Sequence, residues 1–255
     1  MIKKLILLLI FLSVNVHATS VSFLWGNNFR DDLGYDSKKL TMTIEHFGVW
    51  DHGTVFFYYD ITEPFSDSRG DSNQFFGGIS PTFSLSSLTG RKWSYGVIKD
   101  VSIRLELENG SGYGQFNFRN YFYGLQYDLA LPGFDFFSFN TVLRDNPNRN
   151  GVGFQIGTFW QMSWTLSDLT RYKFTGFLAA APFDGNGTKQ EFNPMIDRKG
   201  RFLMTQPQFL YDLGYLLHGK PDRLEIGIEL LVALNRYQLS NRNEYAPQAM
   251  IKMSY

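Results

Sequence analysis

From about residue 20 to the C-terminus, apolar side chains return at every second position in one segment after another, not at every third or fourth. That period belongs to strands, whose successive side chains point to opposite faces. Leu224, Ile226, Ile228, Leu230, Val232 and Leu234 alternate with Arg223, Glu225, Gly227 and Glu229. Val101, Ile103, Leu105 and Leu107 alternate with Ser102, Arg104, Glu106 and Glu108. Over 151–165 the stripe Val152, Phe154, Ile156, Trp160, Met162 and Trp164 opposes Gly153, Gln155, Gly157, Gln161 and Ser163. One face of each segment therefore meets an apolar phase and the other a wet one. Two folds satisfy this: a sandwich that buries its stripes against each other, and a closed transmembrane barrel whose stripes face lipid around a polar interior.

Twelve such segments occur, at 20–29, 39–47, 54–62, 73–86, 97–108, 116–129, 134–143, 151–165, 171–182, 201–212, 222–235 and 244–255. An even number is what single-chain bacterial barrels require, and the connections alternate between short and long, as the two rims of a barrel do. Leu131-Pro132-Gly133 is a tight turn, whereas 63–72, 144–150 and 183–200 are long, polar and rich in Gly, Asn and charge. With both termini in the periplasm, those long loops fall outside the cell. The final segment, with Tyr245, Pro247, Ala249, Ile251, Met253 and Tyr255 on one face, ends in an aromatic residue at the C-terminus. Such an ending resembles the signal read by the outer-membrane assembly machinery, so the expected fold is an all-β, twelve-stranded antiparallel transmembrane barrel. Outer-membrane lipid and lipopolysaccharide are its expected surroundings.

The N-terminus agrees with export. Lys3 and Lys4 precede the apolar run Leu5 to Leu12, and Val16-His17-Ala18 is a small-x-small cleavage pattern. The run breaks at Ser13 and Asn15, well short of the roughly 20 apolar residues of a membrane-spanning helix. Residues 1–18 are expected to be a signal peptide and 19–255 the barrel. Removing Lys3 and Lys4 leaves 22 basic against 24 acidic side chains. Near-neutral charge argues against a nucleic-acid binder, the lack of cysteine excludes disulfides and thiolate zinc, and 17% aromatic content argues against disorder.

Leu40-Thr41-Met42-Thr43-Ile44-Glu45-His46-Phe47, then Trp50-Asp51-His52-Gly53, then Phe56-Phe57-Tyr58-Tyr59-Asp60 resembles the first full hairpin of the Tsx-type nucleoside-specific channel-forming outer-membrane proteins. The stretch from Gly77 through Ser80-Pro81-Thr82-Phe83-Ser84 to Leu88-Thr89-Gly90 is similar to a later strand and turn of that family, although Ile79-Ser80 stands where members commonly carry an acid. The resemblance covers residues 20 to about 110. It implies a monomeric twelve-stranded barrel with a narrow polar lumen that passes nucleosides and related small solutes, in a family that also includes phage and colicin receptors.

Within that frame Phe56, Tyr58 and Asp60 share a face with Thr54, and Val55, Phe57, Tyr59 and Ile61 share the lipid-directed one. The first set is expected in the lumen, opposite Thr41, Thr43 and Glu45. A nucleobase stacks on such rings for roughly 1 to 3 kcal/mol, and the carboxylates accept from ribose hydroxyls. The alternative is that the rings merely fill a narrow barrel. Arg104, Glu106 and Glu108, with Arg223, Glu225 and Glu229, put both signs of charge on inward faces, either as a constriction selecting neutral solutes or as salt bridges closing the lumen.

No catalytic pattern emerges. His17 leaves with the leader, and His52 and His218 lie in turn sequences. His46 has no nucleophile at a matching spacing, and the His-x-Ser-Asn-Gly pattern of a barrel phospholipase does not occur. Asp145-Asn146-Pro147-Asn148-Arg149-Asn150 and Asp184-Gly185-Asn186-Gly187 have the composition of solvated turns and not of an EF-hand. Gly110-Ser111-Gly112-Tyr113-Gly114 precedes no helix that would present its N-terminus to a phosphate. The expectation is therefore a channel without cofactor or metal. The other classes left open are a surface receptor or structural barrel with an occluded interior, acting through 183–200, and, behind it, a barrel lipid hydrolase.

Overall fold

The computed structural model describes residues 16–30, 36–65, 74–111, 117–147, 150–184, 201–235 and 243–255. The leader residues before Val16, the Gly112 to Gly114 run, Asn148, Arg149 and most of the 63–72 and 183–200 loops lie outside them.

The strands are β1 (Val16–Arg30), β2 (Asp36–Trp50), β3 (Gly53–Thr62), β4 (Phe75–Ser84), β5 (Ile98–Ser111), β6 (Asn117–Leu129), β7 (Phe136–Asp145), β8 (Val152–Ser167), β9 (Thr170–Phe183), β10 (Phe202–Thr205), β11 (Gln208–Asp212), β12 (Leu224–Leu234) and β13 (Glu244–Ser254). All pairings are antiparallel; outside the region of β10 and β11 they join sequence neighbours, and β1 with β13 closes the ring, in register from Ser20↔Ser254 to Gly26↔Gln248. Both β10 and β11 pair with β9 on one side and β12 on the other, so together they occupy one position. The result is a closed twelve-stranded barrel.

The break between β10 and β11 has a local cause. Pro207 has no N–H to give to the ladder, and Gln206 N–H bonds to Phe177 O at 3.2 Å while Leu230 N–H reaches Pro207 O at 3.0 Å. Gly176 faces the irregularity: a Cβ there would meet Gln206 O at 2.6 Å. The expected segment at 201–212 is thus one strand interrupted by its proline. The edge segment expected at 20–29 is real and longer, and it closes the barrel.

Contacts across the interior identify the inward faces. Arg104 on β5 lies over the ring of Phe159 on β8, with 5.1 Å from guanidinium to centroid. Since β6 and β7 separate those strands, the side chains meet through the lumen. Even-numbered residues of β5 therefore point inward, and Ile103, Leu105 and Leu107 form the exposed lipid-facing stripe that their alternation predicts. The same holds on β12, where Glu225 and Glu229 are buried and Ile226, Ile228 and Leu230 are exposed.

The interior is not uniformly polar. Leu24, Leu210 and Met250 form one buried cluster, and Phe29, Leu231, Ala233 and Ala246, with Met204 against them, form another. Their strands surround the β1–β13 seam. The expectation of a polar lumen is corrected here: the run Leu230 to Leu234 loses its polar alternation, so apolar residues fall on both faces.

One rim carries short connections. Gly133 adopts φ 83° in the 131–133 turn, as its sequence predicts. Helix α1 (Leu85–Thr89) is capped by Ser84, which accepts from Ser87 N–H, and helix α2 (Leu213–His218) by Asp212, which accepts from Tyr215 N–H. His218 thus ends a helix before the left-handed Gly219 instead of lying in a simple turn.

Candidate functional site

The register brings the first group of expected lumen residues together. Tyr58 stands directly opposite Glu45, Asp60 opposite Thr43, and Phe56 opposite Phe47. Thr43 Oγ1 donates to Asp60 Oδ1 at 2.6 Å. The rings of Phe56 and Tyr58 stack, with centroids 5.8 Å apart and planes 22° apart, and Phe76 of β4 adds a third ring 5.5 Å from Tyr58. Two residues along each strand separate these inward positions, so three adjacent strands build one aromatic surface.

Tyr58 reaches past β4 to β5, where its hydroxyl donates to Glu108 Oε1 at 3.3 Å. Gly78 lies between, and a Cβ there would come within 3.2 Å of the Tyr58 ring. Asn120 on β6 donates to the other oxygen of Glu108 at 2.8 Å. The carboxylate is held by two neutral donors, with its position fixed against the aromatic surface.

Arg104 and Glu106 form their own pair on β5. Arg104 Nη2 is 2.6 Å from Glu106 Oε2, Nη1 donates to Gln126 Oε1 at 2.8 Å, and Nη2 also donates to Ser80 Oγ at 3.0 Å. Arg104 is buried and Glu106 largely so. This geometry is a local ion pair tied into a hydrogen-bond network, and Phe159 covers the guanidinium from the far wall.

A second charged group lies around the β9, β12, β13 and β2 walls. Lys173 Nζ is 2.7 Å from Glu225 Oε1, and Lys252 binds Glu45 across β1. Glu229 accepts from three amides, Gln206 at 2.9 Å, Gln208 at 2.7 Å and Gln248 at 2.8 Å. Arg223, expected to share the inward row, instead sits exposed in the turn before β12 and donates to Ser254 O at 3.3 Å. Its position is a turn because β12 begins only at Leu224.

At the short-connection rim, Asp222 meets Arg171 Nη1 at 2.8 Å and Lys173 Nζ at 2.7 Å. Partial burial pushes this carboxyl up, but the two cations outweigh it and hold the group below its ordinary range. His46 lies on the opposite face of β2 from Glu45, with its Nδ1 2.9 Å from Thr19 Oγ1 and its ring beside Phe57. His52 is in the exposed turn, 2.7 Å from Ser87 Oγ.

Sequence reasoning missed Phe76, Asn120, Lys173, Lys252, the three glutamines around Glu229, and Arg144. Parity was the signal available for several of them: Gln248 and Lys252 fall on the non-lipid face of the last strand. Arg144, by contrast, ends a segment whose charged residues read as loop.

The comparisons extend the likeness beyond residue 110. The family model described as "Nucleoside-specific channel-forming protein, Tsx" matches residues 31–207. Among solved structures, one described as "KdgM porin" is 10% identical with TM-score 0.48, covering 92% of this chain and 99% of that one. "NanC porin structure in rhombohedral crystal form" is 7% identical with TM-score 0.50, covering 92% and 98%. No curated protein sequence matches. The barrel lies in the bacterial outer membrane and is of the channel-forming kind that admits small solutes. With more than half its length matched, the chain belongs to the Tsx family of nucleoside-specific channel-forming proteins.

Proposed function

We propose that this barrel passes nucleosides and similar small polar solutes by passive diffusion, with Phe56, Tyr58, Asp60, Glu45, Arg104 and Glu106 as the lumenal binding surface. The observation that carries this reading is the stacked Phe56 and Tyr58 pair with Phe76 beside it and carboxylates at both flanks. A planar base stacks on the rings while ribose hydroxyls donate to Asp60 or Glu108. Each contact is weak alone, which flux requires, since a solute held tightly would block the path. The buried Arg104–Glu106 pair positions the wall opposite Phe159 and offers no free charge to an ion. Uptake into liposomes carrying the protein tests the reading: a radiolabelled nucleoside crosses faster than a sugar of similar mass, and equal rates for the two would contradict it.

A second reading has support from the two arginines that cross the interior, Arg104 to Phe159 and Arg144 to Phe202. It makes the barrel an occluded surface receptor acting through its long loops. The same liposomes separate the two, because an occluded barrel passes neither solute.

Export belongs to the same reading. Residues 1–18 serve as the leader, and cleavage after Ala18 leaves β1 starting at Thr19, without the pairs of Val16, His17 and Ala18 to Val49, Gly48 and Phe47. The N-terminal sequence of protein from the membrane fraction tests this. Tyr255, exposed and bonded through its N–H to Thr19 O at 2.9 Å, is offered to the assembly machinery, and lipid and lipopolysaccharide surround the exposed stripe.

A further inference from the structure

Three of the cations that the described residues place inside the barrel are matched by carboxylates at 2.7 Å or less: Arg104 by Glu106, Lys173 by Glu225, and Lys252 by Glu45. Arg144 is different. Its Nη1 stands 3.6 Å from Asp184 Oδ2, beyond the 2.7 to 2.9 Å or so of a charge-assisted hydrogen bond, and neither Nε nor Nη1 has a hydrogen-bond partner. The side chain is only 9% exposed. Buried guanidinium donors are normally satisfied, because leaving them open forfeits their hydration with no return.

The surroundings hold this side chain in place without using its in-plane donors. Phe122 on β6 and Phe202 on β10 flank the guanidinium at 5.6 and 4.9 Å. Since β8 and β9 lie between β7 and β10, Phe202 approaches from across the lumen. Arg144 is the penultimate residue of β7, Asp184 follows β9, and Phe202 opens β10, so the group sits at the mouth that carries the long loops. Glu108, a further carboxylate in electrostatic reach, is already engaged by Tyr58 and Asn120.

We propose that Arg144 is an anion-docking site at the long-loop mouth, where a phosphate or carboxylate group on an entering solute accepts from the open guanidinium donors. The two rings fix the guanidinium plane, and Asp184 balances its charge from a distance without occupying the donors. The site rests on the channel reading in that a solute must reach the lumen, and it extends the solute class from neutral nucleosides to those carrying an anionic group.

The test is equilibrium dialysis of inorganic phosphate against the full chain folded in detergent, with heat-modifiable gel mobility confirming the fold. Wild type is expected to show one saturable site, and Arg144→Gln to weaken it about tenfold or more. Asp184→Asn removes the competing carboxylate and is expected to tighten binding about threefold. Acetate and uridine monophosphate in the same cell distinguish a carboxylate from a phosphate ligand. Equal phosphate affinity in wild type and Arg144→Gln, or no saturable binding in either wild type or Asp184→Asn, overturns the proposal. If Arg144→Gln fails to fold, unchanged or weaker binding by Asp184→Asn does so alone. The readout needs no conduction, so it stands or falls separately from nucleoside uptake.

Discussion

Tyr58 and Glu108 are joined across an intervening strand: the phenol on β3 donates to the carboxylate on β5 at 3.3 Å, over the space that Gly78 leaves on β4. That bond ties the aromatic surface to the acidic one, and it depends on position 78 having no side chain. Gly78→Leu is therefore expected to push the Tyr58 ring away and reduce nucleoside uptake several-fold in the liposome assay. Tyr58→Phe, which keeps the ring and loses only the hydroxyl, should retain most of the uptake, because stacking supplies roughly 1 to 3 kcal/mol and this hydrogen bond less. A Tyr58→Phe variant as impaired as Gly78→Leu would show that the hydroxyl and not the ring matters.

Arg104 is buried and Glu106 largely so, at 6% and 13% side-chain exposure. Arg104→Gln leaves Glu106 without its cation, and such a break in a buried pair costs about 3 kcal/mol or more. The urea midpoint of the folded band should fall accordingly. Adding Glu106→Gln should recover part of the loss, since two neutral partners no longer leave a buried charge unmatched. Additive losses in the double variant would contradict the pairing.

Leu105 lies between those two residues in sequence and on the other face of β5, where it is 42% exposed to lipid. Leu105→Arg places a charge against hydrocarbon and is expected to cost about 2 to 4 kcal/mol near the midplane. Folding into lipid vesicles should fail or slow sharply, while the same change to Ala has a small effect. A well-tolerated arginine at 105 would mean that the inward and outward faces of β5 are exchanged.

Asp222 carries a pH dependence of known sign. Its carboxyl is held below the ordinary value of 3.8 by Lys173 and Arg171. A lowered folded-state pKa contributes stability above the unfolded value, and that contribution is lost as pH falls through the folded one. Asp222→Asn keeps the left-handed backbone, φ 63°, and removes only the charge. The group is 44% exposed, so the expected loss at neutral pH is only about 0.5 kcal/mol. Thermal midpoints of the two proteins should differ at pH 7 and converge as pH falls through the lowered folded-state value of Asp222.

The barrel was legible because alternation is a backbone property: Ile103, Leu105 and Leu107 had to share a face whatever their partners were. The same parity puts Phe56, Tyr58 and Asp60 on one face, with Glu45 directly opposite Tyr58 on the neighbouring strand. It failed where position depends on the chain ends of strands. Arg223 satisfies the alternation of its segment, yet β12 starts one residue later and leaves it outside. Arg144 looked like the first residue of a polar loop, but β7 runs on to Asp145 and turns it inward. Closure also brings together residues distant in sequence, such as Lys252 with Glu45 or Arg104 with Phe159, and no local pattern encodes which walls face each other across a lumen.

The central claim is that the aromatic face of β3 makes the channel prefer nucleosides. Its most direct measurement is the ratio of nucleoside to sugar uptake in liposomes carrying wild type or the Phe56→Ala, Tyr58→Ala double variant, each shown to be folded by heat-modifiable mobility. The account predicts a ratio well above one for wild type that falls several-fold toward one in the variant, with sugar uptake unchanged or increased. An equal ratio in both proteins, or uptake no faster than empty liposomes from folded wild type, would contradict it.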